Sequence, residues 1–177
     1  MNVELLCLSV LQGGEASGYD IRERFAKGEE ALFANASTAA IYSALAKLHD
    51  KGHVDARVVR QDDKPDKKIY QITPAGHAAF VEQLRAAPRD DTFHSPFLNF
   101  LRFSHLVPAD LVSDHVANHG RQLDAQIDQI DRLLTEQTSD ARCCWALHLR
   151  RLMAKALRDG LNQFTSQAAT KQQKTEL

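Results

Sequence analysis

The stretch from Ser37 to Lys47 carries residue types suited to a phosphodiester backbone: the hydroxyls of Ser37, Thr38, Tyr42 and Ser43 and the ammonium of Lys47. Duplex DNA is held mainly through its phosphates, so cationic and hydroxyl donors must gather on one face. Ile41, Leu45 and Leu48 recur at i, i+4 and i+7, one side of a helix, and leave Thr38, Tyr42, Ser43 and Lys47 on the other. Ser37 or Thr38 is a good N-cap, and the free N–H groups of a helix start add to a phosphate cradle. Ala39 and Ser43 are short enough to meet base edges or a thymine methyl. A second basic cluster follows, where Arg57, Arg60, Lys64, Lys67 and Lys68 stand against Asp62, Asp63 and Asp66. That local excess of two positive charges could straddle a minor groove, with Arg60 or Lys64 near its tip.

Other chemistry is sparse. His115 and His119 lie four apart and could share a metal from one helix face. No Cys or acid stands at a convincing third position, so helix packing is the expected role, with His119 facing a cavity or a second copy of the chain. Cys7, Cys143 and Cys144 are an odd set that fits a reducing cytoplasm. Adjacent Cys143 and Cys144 diverge on a helix and cannot easily bridge. There is no G-x-S-x-G, Walker loop, H-E-x-x-H, C-x-x-C or Gly-rich dinucleotide turn, so neither an enzyme nor a cofactor is expected.

These residues must be positioned by a chain of 177 residues with 44% hydrophobic and 25% charged side chains and a net charge of −1, ordinary values for a globular protein of one or two domains. The balance does not advertise nucleic-acid binding, but the footprint on DNA is a local patch, not a whole-chain sum. No apolar run is long enough to span a membrane. Val3 to Leu11 is apolar but holds Glu4 and lacks a basic flank, so it is not read as a signal peptide.

The pattern predicts a helix over residues 3–12 stopped by Gly13-Gly14, a second from about Gly18 to Lys27, and a third from Ser37 or Thr38 to Gly52. Alternation at Val54, Ala56 and Val58, a turn-rich stretch Gln61 to Lys67, and Ile69 to Ile72 predict a hairpin with a long charged tip. Thr73-Pro74 opens a further helix, with Pro at its first position. Residues 1–87 are therefore expected to be a winged helix-turn-helix domain. A boundary rich in Pro and Asp precedes a helical domain at 92–165, and a polar tail covers 166–177.

The first long helix of that second domain carries an apolar seam, Val112, Val116, His119, Leu123, Ile127, Ile130 and Leu134, spaced like nearly three heptads. The second, from about Asp140 to Phe164, repeats the pattern with Trp145, Leu149, Leu152, Met153, Ala156 and Phe164. The expected fold class is mainly α with a small β-hairpin wing, followed by long C-terminal dimerisation helices.

Several motifs together resemble the PadR family of transcription regulators. Ser17-Gly18-Tyr19-Asp20-Ile21 after the apolar first helix, Ile41-Tyr42 with Leu45, Leu48, Gly52 and Val54, and Lys68, Tyr70, Thr73, Pro74 and Gly76 follow the family's order across residues 5–77; residues 92–164 resemble its longer members more loosely. The resemblance implies a cytoplasmic homodimer that binds operator DNA, as a repressor, through Ser37, Thr38, Tyr42, Ser43, Lys47, Arg57, Arg60, Lys64, Lys67, Lys68 and Tyr70. It also implies a small aromatic effector in or beside the helical dimer region. Phe100, Arg102, Phe103, Trp145 and Met153 would offer such a ligand stacking surfaces and one cation. The sequence departs from the family where Ser43 replaces the usual Pro and Ala39 and Ala40 replace bulky polar residues, so base readout is expected to be lean. The alternatives are a winged-helix adaptor that binds protein rather than DNA, and a histidine-based metal sensor.

Overall fold

The computed structural model describes residues 2–61, 64–86, 93–136 and 141–175, with backbone alone at 61, 64, 65, 141–143 and 166–175. The chain divides into two compact units, Met1–Asp91 and Thr92–Leu177.

The first unit runs α1 (Val3–Leu11), β1 (Ala16–Ser17), α2 (Gly18–Lys27), a 3-10 turn (Glu29–Leu32), α3 (Thr38–Asp50), β2 (Val54–Gln61), β3 (Lys64–Ile72) and α4 (Pro74–Arg85). Its core gathers Leu8, Leu11, Ile21, Ile41, Leu45, Leu48 and Val54, all fully buried. The leucines and isoleucines stand on the inward faces of α1, α2 and α3 and Val54 opens β2, so the apolar stripes meet in one place. Cys7 lies within this core, and burial, with Glu4 adding to it, pushes its thiol up to about 12. Held protonated, it is a packing residue.

Local chemistry fixes the ends of the elements. Ser17 caps α2 in a reciprocal box: its hydroxyl accepts from Asp20 N at 3.1 Å, and its backbone N–H donates to Asp20 Oδ2 at 3.0 Å. Ser37 caps α3 by accepting from Ala40 N. After α3, Gly52 adopts φ +69°, the left-handed turn that lets the chain reverse into β2.

Thr73 then ties α4 to that same turn. Its hydroxyl donates to the Gly52 carbonyl at 2.8 Å and accepts from Gly76 N at 3.0 Å, while its N–H donates to the His53 carbonyl at 3.0 Å. Gly76 is where α4 lies against that carbonyl; a Cβ there would sit 2.0 Å from His53 O. The Thr-Pro-x-Gly signature is thus a clamp between the first turn of α4 and the exit of α3.

The sheet has three strands in the order β1-β3-β2. The short β1, which alternation alone could not reveal in two residues, pairs Ala16 with Tyr70 and Ser17 with Ile69. The hairpin differs from expectation: Gln61 and Lys64 to Lys67 are strand, so most of the stretch read as turn belongs to the ladder. Pairing slips from Val59↔Lys67 to Gln61↔Lys64, which places Pro65 in a bulge, where the missing N–H disrupts no regular pair.

The second unit contains α5 (Pro96–Arg102), a 3-10 turn (Ser104–Leu106), α6 (Ala109–Glu136) and α7 (Ala141–Thr175). Helices α6 and α7 pack through Val116, Leu123, Ala154 and Leu161, with Phe97 and Leu101 of α5 against them. Ile130 and Leu147 are fully buried as well. Across this pair Arg158 bonds Asp124 at 2.8 Å, and Arg151 pairs with Asp131. The polar stretch after Phe164 continues the helix as far as Thr175. No helix among the described residues is long and apolar enough to cross a membrane.

Two sequence expectations change here. The α6 seam is satisfied within the chain: Val116, Leu123 and Ile130 are buried, and Val112 and Ile127 pack against the same cluster. His119 stacks on Phe97 with centroids 3.9 Å apart, and Leu134 is half-buried. On α7, conversely, the stripe read from sequence, apart from Phe164, faces away from α6. Trp145, Leu149 and Leu152 are more than 60% exposed, at 64%, 63% and 62%, and Met153 and Phe164 are exposed too. Helix α7 has two apolar faces, and periodicity picked the one that the fold leaves open.

Candidate nucleic-acid interface

Because Ile41, Ala44, Leu45 and Leu48 are buried, α3 turns Thr38, Ala39, Tyr42, Ser43, Ala46 and Lys47 to solvent. Ser37 is exposed at the helix start, its hydroxyl already engaged as the cap. Tyr42 is 46% exposed, and its ring lies against the start of α2, where a Cβ on Gly18 would come within 2.5 Å of Cε1. The Ser-Gly-Tyr motif therefore does two things: Ser17 caps α2, and Gly18 leaves room for the Tyr42 ring. Replacing Gly18 with alanine should displace that ring and weaken DNA binding several-fold while thermal stability changes little. A gel-shift titration beside a melting curve checks this, and unchanged affinity would show that the Tyr42 position is not set by Gly18.

The wing distributes its cations unequally. Arg60 and Lys68 are exposed, the latter with its ammonium 5.4 Å from the Tyr70 ring centre. Arg57 bonds Glu15 at 2.6 Å, and Lys67 pairs with Asp20 at 3.0 Å. Burial opposes ionisation of Asp20, but the hydrogen bonds from Ser17 and the Lys67 ammonium outweigh it and hold the carboxyl below its ordinary range. Exposed pairs of this kind are worth at most about 1 kcal/mol, so both cations can be recruited by phosphate. The Lys64 side chain lies outside the described residues.

Tyr70 corrects the sequence assignment. It is 5% exposed and part of the core, where β3 is flanked by both other strands, so it supports the wing from beneath and cannot reach a ligand on the surface.

Apolar spacing groups Tyr19 with Ile21 and Phe25 on the buried face of α2, but only Ile21 and Phe25 are buried. Tyr19 is 56% exposed and adjoins the Gly18–Tyr42 contact, and the Arg22 guanidinium lies 4.8 Å over its ring. Its type suggests a core position, and only the packing of α2 shows that the ring points outward.

In the second unit, the five residues expected to hold a ligand are dispersed. Phe100 meets His115 edge-on at 4.9 Å, Arg102 lies over Phe103 at 5.4 Å, and Trp145 and Met153 are exposed on α7. A cleft of about 550 Å³ opens elsewhere, with Val112, Val116, Leu161 and Phe164 as apolar walls and His105 and Arg158 as polar ones. His115 and His119 are engaged with phenylalanine rings, and no group of three or more metal-binding side chains gathers among the described residues. Cys144 is partly buried; the Cys143 side chain lies outside the described residues.

A helix pair that presents an exposed second helix beside a two-stranded wing defines a winged helix-turn-helix domain. Residues 7–82 match the Transcriptional regulator PadR-like family. The chain is 37% identical over 92 residues to the negative transcriptional regulator PadR of Bacillus subtilis (strain 168), a match that spans 51% of this chain and 50% of that protein. Its fold is that of smu.1604c from Streptococcus mutans UA159, with a TM-score of 0.82 at 23% identity over 94% of this chain and 99% of the other. The Bacillus subtilis PadR in complex with operator DNA aligns with a TM-score of 0.71 at 24% identity over 93% and 97% of the two chains. That same Bacillus protein is also known in complex with p-coumaric acid, with a TM-score of 0.61 at 22% identity over 92% of each chain.

Proposed function

We propose that this protein is a cytoplasmic transcriptional repressor that binds operator DNA as a homodimer and is released by a small aromatic acid. The observation that carries the reading is the outward face of α3, with the hydroxyls of Thr38 and Ser43, the ring of Tyr42 and the ammonium of Lys47 exposed beside a wing that bears Arg60 and Lys68. Operator binding by the Bacillus PadR supports it.

The dimer is supported by α7. The large apolar side chains of Trp145, Leu149, Leu152 and Met153 have no cover among the described residues, and a second copy offers the same row in return. A symmetric pair also sets the recognition helices to half-sites about 34 Å apart. An aromatic acid is supported by the p-coumaric acid complex of the Bacillus protein. The cleft lined by Val112, Val116, Phe164 and Arg158 suits such a ligand better than the dispersed set around Trp145.

The test is a gel shift with the duplex upstream of the protein's own coding sequence. A discrete complex is expected, and p-coumaric acid should dissolve it, with an affinity change of about 5- to 150-fold, the ordinary scale of such coupling. A complex that ignores aromatic acids would remove the effector from the proposal. No complex with any duplex would favour the adaptor reading, which the Arg57–Glu15 and Lys67–Asp20 pairs support by neutralising part of the wing.

A further inference from the structure

The outermost line of α3 carries no long side chain over its first two turns. At about 100° per residue, the direction opposite the buried Ile41, Ala44, Leu45 and Leu48 runs through Ala39, Ser43, Ala46 and Asp50, all exposed. Tyr42 and Lys47 flank that line on opposite sides. They are placed to hold the two backbones of a groove, with Tyr42 steadied by its seat on Gly18. What lies between them must meet the bases.

Direct readout of guanine ordinarily uses the fork of Arg or the ammonium of Lys, and readout of adenine uses the amide of Asn or Gln. None of these stands on the ridge. It offers two methyl groups, one short hydroxyl and, at its far end, a carboxylate that phosphates repel. That repulsion favours entry by the N-terminal half, where Ala39 and Ser43 lie and where recognition helices usually contact bases. Short side chains also let the helix backbone sit deep in the groove. Among the four bases only thymine displays a methyl group in the major groove.

We propose that Ala39 and Ala46 read thymine 5-methyl groups, with Ser43 between them, so that each half-site is chosen by apolar contact at T·A pairs rather than by bidentate hydrogen bonding. This inference rests on the DNA-binding reading and adds its specificity.

The test begins with duplexes selected by the full chain from a random pool. Each T·A pair of the selected half-site is then replaced by U·A, which removes the methyl and keeps every hydrogen-bonding edge. At one or two positions in each half-site the uracil duplex should bind about fourfold more weakly, the worth of one buried methyl-sized group. Ala39→Gly should erase that difference at one of these positions without changing the salt dependence. Ala39→Ser, which keeps the helix start intact, should reduce it. Equal affinity for thymine and uracil at every position would overturn the inference while leaving DNA binding in place. So would a uracil effect that Ala39→Gly, Ala39→Ser and Ala46→Ser all leave unaltered. Recovery of no duplex at all would overturn the DNA-binding reading and this inference with it.

Discussion

Replacing Leu149 and Leu152 together with glutamate should give a folded protein that no longer dimerises. Both residues are more than 60% exposed in the single chain, at 63% and 62%, on the face of α7 opposite Leu147, Ala154 and Leu161, which hold α6. The change therefore spares the intrachain core. In a symmetric pair it removes four leucines from the contact, each worth about 1.5–3 kcal/mol when buried, and puts carboxylates in their place. Even a net loss of roughly 4 kcal/mol weakens association about a thousandfold. Sedimentation should show a monomer at micromolar concentration, with circular dichroism unchanged and operator affinity greatly reduced. A dimer that survives the double substitution would place the interface elsewhere. Charged residues at Leu123 and Ile127 should behave differently: Leu123 is buried in the chain and Ile127 packs beside it, so α6 would lose its seat on α7 and the second unit would melt.

The Gly76→Ala protein should be strongly destabilised in its first unit. The new methyl would lie 2.0 Å from the carbonyl oxygen of His53 and 2.8 Å from its carbon, and both are backbone atoms fixed by the Thr73 clamp. The first turn of α4 must lift away, which strains or breaks the bonds from Thr73 to Gly52 and His53. Overpacking of this kind costs about 1–3 kcal/mol. In a domain of this size that lowers the melting temperature by something on the order of 10 °C. A scanning calorimetry trace with the transition unmoved would mean that α4 is not held where the clamp requires.

The first unit was legible in the sequence because its signals are local. Caps at Ser17, Ser37 and Thr73, stops at Gly28 and Gly52, and single-sided apolar stripes each bound an element within one turn of the residues that cause it. Tyr70 was misplaced because a polar-tipped aromatic suits either face of the wing, and only the packing of one sheet face on the helical core decides that its ring is enclosed. The hairpin tip looked longer than it is because charged and proline residues disguise a bulged strand.

The second unit shows the larger limit. Helix α7 is apolar on two sides, and periodicity cannot say which side meets α6 and which awaits a partner. The packed face is built of Leu147, Ala154 and Leu161, with Arg151 and Arg158 aimed at acids of α6. Those arginines hide the stripe from any hydrophobicity count. The candidate ligand residues do not gather within one chain for the same reason: Trp145 and Phe100 were joined by type, without knowledge of which faces α5 and α7 present.

Whether α3 grips DNA is tested most directly by equilibrium binding of a selected duplex across a range of salt concentrations, measured for the native chain and for Lys47→Ala. The native protein should give a steep, linear fall of log affinity with log salt, since each phosphate neutralised releases counterions. Lys47→Ala should bind more weakly on every sequence, with the slope shallower by about 1. A native slope near zero, or a Lys47→Ala line that overlies the native one, would contradict the assignment of α3 as the DNA-binding helix.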